Sequence, residues 1–227
     1  MTDYSDVRKL YNKTAQNWDR DEPTYRSDAE ARPKLVELAE KLDPDSILDL
    51  GCGEGYVTRM LAKATKAEIT GIDISEKLIK IARRKEQETP LDIAYYHINI
   101  TDLSRFTEQF DLITAAFSTH YLSLEDHTKL FQQAAKITKN IIIATMEPES
   151  YWKTLKGTTT YENDEGKTFK DKLKGNGKKT EVWYTHRTLE RMERDFEPFR
   201  IQQKILIPCK EAKFDFVVYQ LLNPNSL

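Results

Sequence analysis

Residues 46–58 read Ser-Ile-Leu-Asp-Leu-Gly-Cys-Gly-Glu-Gly-Tyr-Val-Thr, and their reading decides the fold. The apolar run 47–50 is a short buried strand. It stops at Gly51, Gly53 and Gly55, and a helical pattern follows over about 56–66. A strand, a glycine turn and a helix, in that order, bring backbone N–H groups and a helix N-terminus up to a ligand. Glycine supplies the close approach and positive φ that such a turn needs. A dinucleotide fits poorly. The G-x-G-x-x-G fingerprint requires its third glycine at position 56, and Tyr56 is there. The carboxylates of Asp49 and Glu54 flank the turn and would repel a pyrophosphate at short range. They suit a ligand with an ammonium group and a cationic centre.

Working outward, strands and helices alternate. Leu35, Val36, Leu38 and Ala39 give helical spacing within 31–42, and Asp43-Pro44-Asp45 breaks that helix before the first strand. A second strand is expected over 68–74. Ser75 then caps a helix carrying Leu78, Ile81 and Ala82 on one face. Third and fourth strands fall at 92–98 and 110–116. A helix follows over 124–137 with Leu130, Phe131, Ala134 and Ala135 inward, and then a β-branched fifth strand at 140–145. This rhythm implies an α/β, doubly wound, mostly parallel sheet. The last two strands, 201–208 and 214–221, are separated only by 209–213. A link that short cannot make a parallel crossover, so they form an antiparallel hairpin.

The set Asp49, Gly51, Gly53 and Gly55 meets in full the D/E-x-G-x-G-x-G motif I of the class I S-adenosylmethionine (SAM)-dependent methyltransferases. The chain resembles that family, in particular its small-molecule enzymes of the type 11/25 kind, at motif level over roughly residues 8–146. The closing hairpin agrees with the seven-stranded, Rossmann-like sheet the resemblance implies. The implied cofactor is SAM, with S-adenosylhomocysteine (SAH) as product. It would lie against the turn residues Asp49, Gly51, Cys52, Gly53 and Gly55. Asp73 ends the second strand, followed by Ile74, and a carboxylate there can accept from both ribose hydroxyls; it can equally serve as a helix-capping acid. After the third strand, Asn99 and Ile100 stand where family members hold the adenine, with Asp102 as the competing choice for that role. The fourth strand, 110–117, resembles motif IV, so carbonyls near Ala115 or Ala116 would hold the methionine ammonium. Tyr11, Ala15 and Trp18 have i, i+4, i+7 spacing on one helix face. They resemble the family's Y-x-x-x-A-x-x-Y-D segment, which implies that an N-terminal element, residues 1–25, covers the cofactor with Tyr11 and Trp18.

Methyl transfer needs positioning and dryness, and a base only when the nucleophile arrives protonated. His120, after the fourth strand, is the candidate base, or else a loop histidine that shapes the pocket. His186 is a second candidate. Acceptor choice is assigned to a lid inserted at about 147–187. Short strands are expected there at 167–173 and 180–184, bracketed by Tyr151, Trp152, Tyr161, Trp183 and Tyr184. Lysines 167, 170, 172, 174, 178 and 179 give this insertion a solvated face, or a pull on an anionic acceptor or RNA.

At 227 residues the chain suits one domain, 1–227. A net charge of −2 gives no general attraction to nucleic acid or anionic membrane. No run approaches the ~20 apolar residues of a membrane span. The N-terminus lacks a signal-peptide pattern, and Cys52 and Cys209 make no disulfide framework, so a cytoplasmic location is expected. No Cys/His spacing suggests a metal. The expected function is methylation of an oxygen or nitrogen on a small-molecule acceptor by a monomer or homodimer. The rivals are RNA or protein methylation, and SAM binding without turnover.

Overall fold

The computed structural model describes residues 4–154, 166–175, 178–209 and 214–224, and the side chains of all of these except 152–184 and 186. A seven-stranded sheet runs through the molecule in the order β3-β2-β1-β4-β5-β9-β8. Its strands are β1 (Ser46–Leu50), β2 (Glu68–Asp73), β3 (Ile93–His97), β4 (Phe110–Ala116), β5 (Thr138–Met146), β8 (Arg200–Ile207) and β9 (Phe216–Leu222). The first five pair in parallel. β9 pairs antiparallel with β5 on one side and β8 on the other, from Met146↔Phe216 to Asn140↔Leu222 on the β5 side.

Alternation along each strand builds two cores. Ile47, Ile69, Leu112, Ile142 and Val218 face α3 (Ala31–Leu42), α4 (Tyr56–Ala64) and α5 (Glu76–Glu88), where they meet Leu35, Leu61 and Ile79. Leu48, Leu50, Ile72, Ile113, Ile143 and Tyr219 point the other way, onto Leu130 and Phe131 of α6 (Leu124–Ala134) and Met192 of α8 (Leu189–Asp195). Each fully buried Leu or Ile contributes ~1.5–3 kcal/mol relative to exposure. A strand with helices on both faces must be apolar on both sides, which is why β1, β4 and β5 read as continuous apolar runs.

Several elements differ from the sequence reading. α1 (Ser5–Thr14) does not carry its helical spacing through Trp18. It tightens into a 3-10 turn at Ala15–Asn17, where Ala15 is buried against Leu78 and Ile81. α6 stops at Ala134 rather than 137. The insertion begins with α7 (Pro148–Thr154) and then forms a two-stranded hairpin, β6 (Gly166–Gly175) and β7 (Lys178–Arg187). These strands are longer than expected because their ends are lysine-rich and carry no apolar alternation. α8 went unread, although Thr188 caps it by accepting from the Arg191 N–H at 3.1 Å. Tyr161 lies outside the described residues, as do the side chains of Trp152, Trp183, Tyr184, His186 and the six insertion lysines. The backbone of β7 runs alongside α1 and the turn at Thr119–Tyr121, over the carboxyl ends of the parallel strands.

Candidate functional site

Strand order reverses between β1 and β4, and the crevice beyond such a reversal is where open α/β sheets take ligands. A cavity of about 780 Å³ opens there. The turn after β1 is pinned to β2, since the Gly51 and Cys52 N–H groups both donate to the Ile72 carbonyl, at 2.8 and 3.0 Å. Gly51 has φ +72°, and a Cβ there would overlap Ser118. Gly53 has φ +59°, but its nearest would-be neighbour is Leu78 Cδ1 at 4.0 Å, so it presents bare backbone to the cavity. Gly55 does not reach the cavity wall. It begins α4 behind it, with Tyr95 Oη packed against its Cα.

Asp73 stands at the end of β2, buried yet lining the cavity. Its two oxygens accept the Gly53 N–H at 3.0 Å and the Ser75 N–H at 2.7 Å, leaving further lone pairs for a ligand. Burial pushes its carboxyl up to about 6; the two N–H donors partly offset this, and the charge of Asp49 adds to it. Ile74, Asn99, Ile100 and Ala116 line the same cavity, as does Cys52, whose thiol burial pushes up. The structure brings Asn99 to the cavity and leaves Asp102 half-buried outside its wall, engaged with Ser104 and Arg105.

The two turn carboxylates line the cavity, and each is already engaged with groups of its own chain. Asp49 is buried and accepts from the hydroxyls of Thr58 at 2.7 Å and Thr114 at 2.9 Å, bracing β1 to α4 and β4. Burial pushes its carboxyl up and those hydroxyls pull it back. Glu54 pairs with Arg20 at 2.8 Å. Burial pushes the Glu54 carboxyl up, with Arg20 opposing.

Arg20 was not anticipated from the sequence. Its guanidinium also pairs with Asp28 at 3.2 Å and lies 4.6 Å from the Tyr56 ring centroid, 4.9 Å from Tyr25 and 5.6 Å from Trp18. Asp28 in turn binds Arg32, which sits 4.9 Å over Phe117. Only the i, i+4 spacing of Asp28 and Arg32 hints at this knot in the sequence. Tyr11 and Trp18 both line the cavity, with ring centroids 5.6 Å apart, and Tyr11 Oη shares a 2.5 Å hydrogen bond with Tyr121 Oη. Asn12 fixes α1 over the start of α5, accepting from Ser75 Oγ at 2.8 Å and the Lys77 N–H at 3.1 Å.

His120 lines the cavity on the far side of the turn. Burial, together with the nearby Arg187 charge, pushes its imidazole down to about 3, so its ring is neutral near pH 7. Arg187 ends the insertion and is itself buried. It donates to the carbonyls of Leu122 at 2.6 Å and Ser123 at 2.9 Å, tying the root of β7 to the His120 turn. Beneath it Asp195 receives His127 Nδ1, Thr128 Oγ1 and Arg191 Nε at 3.0, 2.7 and 2.7 Å. Among the described residues no group of three or more His, Cys, Asp or Glu side chains could hold a metal ion. No described helix is long and apolar enough to cross a membrane.

Residues 47–140 match the family model of the methyltransferase domain. The chain is 28% identical over 134 residues to a demethylmenaquinone methyltransferase of Thermotoga maritima, covering 58% of this chain and 56% of that protein. It is 37% identical over 83 residues to a ubiquinone biosynthesis O-methyltransferase of Coxiella burnetii, covering 37% of this chain and 35% of that protein. The match thus spans between a third and somewhat over half of these curated relatives. Whole-chain likeness comes from solved structures. A magnesium protoporphyrin IX methyltransferase from Synechocystis with bound SAM superposes at TM-score 0.68, with 15% identity and 98% of each chain covered. A SAM-dependent methyltransferase from Clostridium acetobutylicum superposes at 0.65, with 19% identity, 96% of this chain and 98% of that one covered. The fold is that of SAM-dependent methyltransferases.

Proposed function

We propose that this chain, whose residues 47–140 carry a methyltransferase domain, transfers a methyl group from SAM to an oxygen or nitrogen of a small molecule. The observation that carries the reading is Asp73: a buried carboxylate facing the cavity, held by the Gly53 N–H, beside a glycine with open space in front of it. A bare backbone next to a hydroxyl-accepting carboxylate fits a ribose and its attached sulfonium chain. Asp73 would accept from the ribose hydroxyls, and Asn99 with Ile100 would hold the adenine edge. The carbonyls near Ala116 would take the ammonium. Tyr11, Trp18 and Tyr121, which line the cavity, would supply aromatic rings to a cationic centre.

SAM supplies an activated methyl bonded to a sulfonium, so an incoming nucleophile displaces a neutral thioether. The residues of the chain orient and dry that encounter. The Arg20–Glu54 pair and the Trp18 and Tyr25 rings close one side of the cavity. His120, neutral at pH 7, would orient an acceptor hydroxyl or amine by hydrogen bonding. A conjugate acid near 3 makes it a weak proton acceptor, so a positioning role suits it better than that of a strong base.

The relatives named for menaquinone and ubiquinone biosynthesis support a small-molecule acceptor. Calorimetry with SAM, SAH and NAD tests the cofactor. Micromolar binding of both sulfur compounds and none of NAD is expected. Binding of NAD, or of neither sulfur compound, would overturn the proposal.

A further inference from the structure

The cavity continues well past the glycine turn. From β1 the sheet passes through β4 and β5 to β9, so the start of β9 stands three strand spacings, about 14 Å, from the turn. There the wall becomes aromatic. Phe117, after β4, meets Phe216 edge-to-face with centroids 5.4 Å apart at 85°. Phe216 meets Phe214 at 5.8 Å and 83°, and Phe214 meets Tyr151 at 4.9 Å and 90°. All four rings line the same cavity, and the pairing of Met146 with Phe216 sets them across the ends of β5 and β9. The acidic residues of the described cavity wall, Asp49, Glu54 and Asp73, all belong to the other end. The basic residues nearest the rings already have partners: Arg32 is bound to Asp28 and lies over Phe117, and Arg26 is paired with Glu30 at 3.3 Å.

We propose that this wall is the acceptor subsite and that it takes an uncharged, planar aromatic molecule, its nucleophilic atom turned toward the β1–β4 crevice. This rests on the methyltransferase reading. A run of edge-to-face rings is extended favourably by one more ring. A saturated acceptor gains only burial. A charged one loses its hydration and, among the described residues, finds no counter-charge that is not already engaged.

Calorimetry with 2-naphthol, decahydro-2-naphthol and 2-naphthoate, on the protein with and without saturating SAH, separates the possibilities. The expected result is that 2-naphthol binds about tenfold tighter than either of the others. Phe214→Leu and, independently, Tyr151→Leu should each weaken naphthol binding by about two- to tenfold, with SAH affinity unchanged. Equal affinity for the saturated alcohol or the anion, or unaltered naphthol binding in both variants, would overturn the assignment. If SAH fails to bind while naphthol behaves as expected, the methyltransferase reading falls and the aromatic subsite stands. If SAH binds and naphthol does not, the reverse holds.

Discussion

At the scale of single residues, Asp73 concentrates the chemistry of the site. Asp73→Ala would remove the two ribose hydrogen bonds proposed for it and should weaken SAH binding by ~1–3 kcal/mol, read by calorimetry. Its carboxyl, raised to about 6, also makes binding depend on pH. Ribose hydroxyls favour the ionised form, so affinity should fall as pH drops below about 6, by up to about tenfold per unit. Asp73→Asn should flatten that dependence, and a slope that survives the substitution would reject the assignment. The stability effect has the opposite sense. Because the folded pKa lies above the unfolded one, the ionised group costs stability above pH 6, and the cost is relieved as pH falls toward 4. The glycines divide by role. Gly51→Ala combines an overlap with Ser118 and a left-handed backbone that alone costs ~1–2 kcal/mol. It should lower the melting temperature more than Gly53→Ala, whose added methyl meets no protein atom closer than 4.0 Å and should act on SAH affinity. His120→Gln keeps a neutral hydrogen-bonding group and should reduce kcat without changing the shape of the pH–rate profile between pH 5 and 8. A limb of the wild-type profile lost in that variant would restore His120 as a titrating base.

At the scale of elements, the buried charges hold the insertion to the body. Asp195 receives His127, Thr128 and Arg191, and Arg187 stands 3.7 Å from it. Burial raises the Asp195 carboxyl, but these donors more than compensate and hold it below the usual range. Asp195→Ala leaves two guanidinium groups without their anion and should cost ~3–5 kcal/mol, measured by urea denaturation. The same elements show what the sequence carried legibly. β1, β4 and β5 are buried on both faces, so their apolar runs are unmistakable, and the short link 209–213 dictates antiparallel closure. β6 and β7 were read too short because lysines occupy their ends. Apart from the i, i+4 pair Asp28 and Arg32, the Arg20–Glu54–Asp28–Arg32 knot left no trace in the sequence, because salt-bridge partners 34 or 8 residues apart follow no period. It also gives Glu54, at the cavity wall, a guanidinium partner within its own chain. Counting back from β4 favours Asn99 over Asp102 but does not decide between them, since a loop's length does not say which side chain turns inward.

At the scale of the whole molecule, the cavity is walled by segments from distant parts of the chain: α1 and residues 18–25, the ends of β1, β2 and β4, α7, and the start of β9. Ligand occupancy should therefore stabilise the fold globally. SAH at 100 times its Kd should add ~2.7 kcal/mol, which for a chain of this size corresponds to roughly 5–11 °C in melting temperature. Calorimetric scans with and without SAH measure it, and an unmoved transition would mean that the compound does not bind the native state.

β9 is interior to the sheet, with Val217, Val218, Tyr219 and Leu221 fully buried, although it follows every other strand of that sheet in the chain. On the ribosome, β5 is complete at Met146, but its antiparallel neighbour is complete only at Leu222, 76 residues later (222 − 146). At ~5–20 residues per second that is a delay of roughly 4–15 s. Throughout it, Ile141 and Ile143 lie on an open strand edge of the kind that recruits other chains. Nascent copies on one messenger would be most prone to stick together in that interval, which makes the timing of synthesis, and not only the final stability, a determinant of yield.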